Sequence, residues 1–365
     1  MEDLRIKKFA HFLINYSVNL KKGEKILIEI HGRGISLTRA LIEEAYLKGG
    51  KPFIHVFDYK LERALLRGIT DEHMEQLASY ELTRMKDMDA YIDIRATENL
   101  SEWNDISDDK IDIYRRKYYE PIHLDQRCGH TKWCVMRYPN DTMAQLAKMS
   151  TEEYEDFYFN ACLLDYEKMG KNMKNLIKLM DKTDKVKIKG PGTNLEFSIK
   201  GIPTIPYDGH NNIPDGEVAT APVKDSVNGV ISYNVPVPYA GYIYTDVVLE
   251  FKDGKIIKVK SNNTKKMNKI FDMDEGARYV GEFAFGVNPN IKYPITDVLF
   301  DEKIWGSFHF TPGNCYDVAY NGNKSSLHLD LICIQKPEYG GGEIYFDDVL
   351  IRKDGYFVLD ELLNV

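Results

Sequence analysis

KILIEIHGRGISLTRALIEEAYLKGGKPFIHVF, residues 25–57, decides the fold class of the amino-terminal half. Residues 25–30 form a short apolar run of strand length, residues 37–47 carry helical spacing, and residues 52–57 return to a strand pattern. Residues 60–66 then read as helix and residues 90–94 as another strand. Strands alternating with helices predict βαβ units on a largely parallel sheet. Gly32-Arg33-Gly34 after the first strand lacks a lysine-serine continuation and a third glycine, so it reads as a plain strand-to-helix turn and not as a nucleotide motif. Arg95 and Asn99 follow the strand at 90–94, where open α/β sheets place ligands, and are read as structural caps.

Outward from this stretch, Ser150-Thr151-Glu152-Glu153 is a capping-box pattern ahead of a long helix expected to run towards residue 182 and to close a first domain, residues 1–182. From residue 183 to 365 the texture changes to short β-rich segments. Lys189-Gly190-Pro191-Gly192 marks a turn, Asp253-Gly254 and Asp354-Gly355 mark hairpins, and one helix is expected around residues 264–279. The expected class is therefore α/β plus α+β, a helix-flanked parallel sheet followed by a β-rich domain.

The chain has 365 residues and a formal charge of −8, from 48 basic and 56 acidic side chains. That length favours two domains, and the acidic balance argues against nucleic acid as a partner. No run of about 18 apolar residues marks a membrane span. Met1-Glu2-Asp3-Leu4-Arg5 lacks the basic start and apolar run of a signal peptide, so a cytoplasmic address is expected. The five scattered cysteines fit reduced thiols. Cys128-Gly129-His130 with Cys134 lacks the paired ends of a structural zinc site.

Chemistry concentrates in the second half. Glu217 lies in a Pro-x-Gly turn context, Glu282 in an aromatic, glycine-rich run, and His309 and His328 in apolar stretches where an unpaired polar side chain would be costly. If residues 327–334 form a strand, His328 and Asp330 share a face. Carboxylates and neutral imidazoles are the donors that divalent ions require, and five such residues serve two ions about 3.5–4 Å apart. The expected ligands are Glu217, Glu282, His309, His328 and Asp330. Zinc, cobalt and manganese all suit the set.

Asn212-Ile213-Pro214-Asp215-Gly216-Glu217-Val218-Ala219-Thr220-Ala221-Pro222 resembles the signature of the aminopeptidase T (thermophilic aminopeptidase, PepS-like) metallopeptidases. Met149-Ser150-Thr151-Glu152-Glu153-Tyr154, Phe300-Asp301-Glu302-Lys303-Ile304 and His328-Leu329-Asp330-Leu331-Ile332 match in the same order, so the likeness spans most of the chain. The resemblance implies the same five ligands, Tyr316 as the active-site tyrosine, and a homodimer. Asp215, Ala219 and Trp305 depart from the family's usual Thr, Phe and Gly. The expected activity is hydrolysis of the first peptide bond of peptides with a free amino terminus, through water shared by two divalent ions. Glu282 and Glu343 are candidates for moving the proton. A different dinuclear-metal amidase or dipeptidase, or a non-catalytic metal- or peptide-binding relative, are the alternatives.

Overall fold

A computed structural model describes residues 3–365. The chain forms two compact units, one of residues 1–163 with 209–213 and one of residues 164–208 with 214–365. In the first unit, strands β1 (Lys25–Gly32), β2 (Lys51–Phe57), β3 (Ala90–Ala96) and β4 (Lys132–Arg137) form a parallel sheet in the order β2-β1-β3-β4, extended by the short strand Asn212–Ile213. Helix Ile35–Leu47 makes the first crossover, as its sequence spacing predicts. Leu27, Tyr91 and Trp133 pack with Ala78, Met85 and Ile122 on one face of the sheet. Arg95 does not cap a helix: its side chain lies on that sheet face and donates to Asp93 at 2.8 Å.

The expected long helix after Ser150 is two helices. Ser150 Oγ accepts from the Glu153 N–H at 3.2 Å and starts Thr151–Cys162. Asp165 then caps a second helix, Tyr166–Met180, by accepting from the Lys168 N–H at 2.9 Å, and this helix belongs to the second unit. Asx capping competes with helix continuation, so Asp165 restarts the helix where hydrophobic spacing alone would have carried it through. The helix expected at 264–279 likewise ends early, at Phe271.

The second unit holds an eight-stranded sheet and a five-stranded antiparallel sheet. Both Asp-Gly turns join hairpins of the larger sheet, with Asp253 and Gly254 at φ +49° and +80°, and Asp354 and Gly355 at +50° and +84°. The five-stranded sheet runs β9-β8-β7-β6-β5, with β5 Ile205–Tyr207, β6 Glu217–Thr220, β7 Val280–Gly286, β8 Ser307–Pro312 and β9 Ile332–Ile334. Phe197, Phe283, Phe285, Phe308 and Phe310 belong to the apolar core of this unit. Strand β9 is shorter than residues 327–334, and His328 reaches the sheet through a single bridge to Gly313. Among the described residues no helix is long and apolar enough to cross a membrane.

Candidate metal centre

Strand register places the donors on one face of the five-stranded sheet. Residues 282, 284 and 286 of β7 alternate to the same side. Thr311 stands opposite Glu282, His309 opposite Ala284, and Glu217 opposite Gly286. Ala284 and Gly286 are small, which leaves room between the longer side chains. A Cβ at Gly286 would come 2.4 Å from the Ile304 carbonyl oxygen, so glycine lets the 302–304 loop lie against the sheet.

His328 and Asp330 enter from the irregular segment before β9, which is held to β8 by individual backbone bonds such as Leu329 N–H to Pro312 O at 3.1 Å. His328 Nδ1 donates to the Asn314 carbonyl at 2.8 Å. That bond fixes the tautomer of the neutral ring and turns Nε2 into the pocket as the atom that could ligate an ion. Nε2 lies 3.2 Å from Glu282 Oε2 and 3.3 Å from Asp330 Oδ1. His309 Nε2 lies 3.5 Å from Glu217 Oε2 and 3.9 Å from Glu282 Oε1, beyond good hydrogen-bond length. Glu282, His309 and Asp330 each offer one donor atom within 4.8 Å of the others. The structure therefore brings together all five residues that the sequence singled out.

Three further charged groups share this pocket. Lys303 is fully buried, with Nζ 2.9 Å from Glu217 Oε1, bonded to Glu302, and 3.9 Å from Asp215 Oδ1. Burial would strip its proton, but Glu217, Glu302 and Asp215 hold its pKa well above the ordinary value. Burial raises the carboxyls of Glu217 and Glu302 against the pull of Lys303. Thr311 Oγ1 donates to Asp330 Oδ1 at 2.8 Å. The signal for Lys303 and Glu302 is the charged triplet Asp301-Glu302-Lys303 inside an apolar stretch, where buried charge needs a partner.

The Tyr316 ring sits 4.9 Å from the His328 ring and 6.4 Å from Tyr207. Its phenol is held well above the ordinary value by burial and then by Glu282, Tyr207 and Asp330. Since the residue as a whole is 45 % exposed, the neighbouring negative charges are the firmer cause. Glu343 lies elsewhere, in the eight-stranded sheet, where it accepts from the Tyr345 hydroxyl at 2.6 Å.

The donor set fits divalent cations. Asp215, Glu217 and Glu302 are buried carboxylates around one lysine, and buried Glu282 lies with Asp330 against the two histidines; carboxylates in such number call for positive charge. Glu217 Oε2 is buried without a hydrogen-bond partner, as a ligand atom awaiting an ion would be.

Such a pocket defines a metalloprotein. Residues 2–357 match the family described as thermophilic metalloprotease (M29), and the chain belongs to that family. It is 23% identical over 371 residues to aminopeptidase AmpS of Bacillus subtilis (strain 168), covering 90% of this chain and 88% of that one. The fold is similar to that of wild-type AmpT from Thermus thermophilus, with a TM-score of 0.83 at 20% identity over 98% of this chain and 100% of the other. It is also similar to 2,5-dihydroxypyridine dioxygenase from Pseudomonas putida KT2440, with a TM-score of 0.64 at 12% identity over 99% of each chain. An architecture shared with a dioxygenase does not itself specify peptide hydrolysis; the chemistry lies in the side chains of the site.

Proposed function

We propose that this chain is a metal-dependent aminopeptidase, with two divalent ions held by Glu217, Glu282, His309, His328 and Asp330. The observation that carries this reading is the convergence of these donors, drawn from four separate stretches of chain, on one face of one sheet. When bound, such ions supply an activated water and polarise the carbonyl of the scissile bond.

The remaining work falls to the protein's own groups. The Tyr316 phenol, held protonated, donates a hydrogen bond to the oxygen on which charge develops. The Asn314 carbonyl holds Nδ1 of His328 and so turns Nε2 towards Glu282 and Asp330, and Thr311 orients Asp330. Lys303 fixes Glu217 and Glu302 by charge-assisted bonds. The surplus of carboxylates attracts the free α-ammonium of a peptide, which restricts cleavage to the first bond. Glu282, which reaches both imidazoles, is the carboxylate assigned to proton movement.

The test is turnover of aminoacyl-anilides by Glu217→Gln and His328→Ala, with metal content measured by mass spectrometry and folding by circular dichroism. Each variant is expected to lose activity by more than about a hundredfold while remaining folded. Full activity in either variant refutes the assignment. Cleavage of peptides with blocked amino termini at a comparable rate would refute the terminal specificity.

A further inference from the structure

The parallel sheet of the first unit carries a second polar centre. Across it, Phe53, Leu27, Tyr91 and Trp133 stand in register, then His55, Glu29, Asp93 and Val135, then Phe57, His31, Arg95 and Arg137. These rows share a face, because each is two residues beyond the last. The face therefore turns from apolar to charged as it nears the carboxyl ends of the strands. Strands covered on both sides ordinarily read as continuous apolar runs, so buried charge here needs a reason. The place is also distinctive: β2 and β3 flank β1 on opposite sides, which makes the β1/β3 boundary the switch point where open α/β sheets bind ligands.

A cavity of about 250 Å³ opens at these rows, and Glu29, His31, Asp93, Arg95 and Arg137 line it. Glu29 is fully engaged, accepting from Tyr91 Oη at 2.8 Å, His55 Nδ1 at 2.8 Å and His31 Nε2 at 3.2 Å. Asp93 is 3% exposed, and its Oδ2 accepts from Arg95 Nε at 2.8 Å. Its Oδ1 lies 3.2 Å from the same His31 nitrogen that bonds to Glu29. One N–H serves one acceptor well, and Asp93 Oδ1 is left buried without a hydrogen bond, as is His31 Nδ1. A buried acceptor in this condition is costly unless something fills it.

The charges around the cavity select what fills it. Donor atoms of Glu29, His31 and Asp93 lie within 4.8 Å of one another, a spacing a metal ion accepts. However, Arg95 and Arg137 are neighbours in the row above, and their positive charge opposes a bare cation. A bare anion would leave Asp93 Oδ1 with no more than the one His31 N–H that it shares with Glu29. A zwitterion satisfies both, and the rings of Tyr59, Trp103 and Tyr119 on the same wall offer flat apolar surface to a side chain. We propose that the first unit binds a free α-amino acid at this cavity, its ammonium on Asp93 and its carboxylate on Arg95 and Arg137. This goes beyond the peptidase reading and rests on different residues.

Calorimetric titration of the full-length protein tests it, with L-phenylalanine as ligand and N-acetyl-L-phenylalanine, L-phenylalaninamide and zinc chloride as comparison probes. Expected is one equivalent of L-phenylalanine bound in wild type and in Glu282→Gln, weakened roughly ten- to hundredfold in Asp93→Asn and in Arg95→Gln, a loss typical of one charge-assisted bond. Both blocked analogues, the amide titrated into Glu282→Gln so that turnover does not release the free amino acid, are expected to bind at least roughly tenfold more weakly than the free amino acid. Arg137→Gln serves the same purpose if either variant fails to fold by circular dichroism. Absence of binding in wild type, unchanged affinity in the folded first-unit variants, or loss of binding in Glu282→Gln would each overturn the proposal. So would zinc binding whose stoichiometry falls by one equivalent in Asp93→Asn. Binding is read apart from turnover, so failure here leaves the peptidase reading standing, and the reverse holds.

Discussion

A single lysine illustrates how much of the metal pocket depends on side chains that bind no metal. Lys303 is the buried cation among Glu217, Glu302 and Asp215. Replacing it by methionine keeps the volume and removes the charge, which leaves buried carboxylates uncompensated. Lys303→Met is expected to lower unfolding free energy by about 3–5 kcal/mol, the usual effect of breaking a buried pair. Urea denaturation of metal-free protein measures this, and an unchanged midpoint would show that Glu217 and Glu302 tolerate its loss. The five proposed ligands were legible because each is a polar residue in an apolar or glycine-rich setting. Lys303 was harder to see, since a lysine beside two acids ordinarily reads as solvated surface, and only the tertiary contact of the 302–304 loop with β7 reveals its burial.

At the scale of elements, a β-bulge aims one carboxylate. The register between β7 and β8 shifts between Val280 and Glu282, at Gly281. Bulges of this kind redirect side chains beside active sites. A Cβ on Gly281 would lie 2.1 Å from the Asn314 carbonyl oxygen, and Asn314 is the residue whose carbonyl orients His328. Gly281→Ala is therefore expected to reduce kcat by roughly ten- to a hundredfold, because a displacement of about 1 Å in a positioned group has that scale of effect. Steady-state kinetics together with a melting curve separate this from unfolding; normal kcat would show that the bulge does not position Glu282 or His328. Strand and helix alternation across residues 25–94 was readable because short apolar runs of strand length and period-3.6 spacing are both local. The break at Asp165 and the irregular approach to β9 were not, since the first depends on a cap competing with helix continuation and the second on long-range bonds, from His328 to the Asn314 carbonyl and from the Thr311 hydroxyl to Asp330.

At the scale of the whole molecule, proton and metal linkage give two expectations. In the first unit, burial opposes a charged His31, but Asp93 and Glu29 raise it to about 10, with Tyr59 also facing it. Asp93, despite burial, is lowered to about 2, chiefly by Arg95 and His31. A raised histidine contributes fully below about pH 6.5 and loses its contribution as pH climbs through about 10, whereas a lowered aspartate contributes above about pH 3.8 and fails as pH falls through about 2. Stability of this unit should thus fall by on the order of a few kcal/mol between pH 6.5 and 10, and His31→Gln should flatten that slope. Denaturation followed by tryptophan fluorescence reports it, since Trp103 and Trp133 both lie in this unit; an equal slope in the variant would exclude His31 as the source. For the metal, saturation with zinc at about a hundred times its dissociation constant should add about 2.7 kcal/mol, with the gain absent after EDTA and in His309→Ala. A zinc-induced gain that persisted in His309→Ala would place the ion elsewhere. The resident ammonium of Lys303 has a last consequence for biogenesis. With part of the repulsion among its acids already neutralised from within, this pocket can assemble ahead of any inorganic cargo, so folding does not have to wait for an ion.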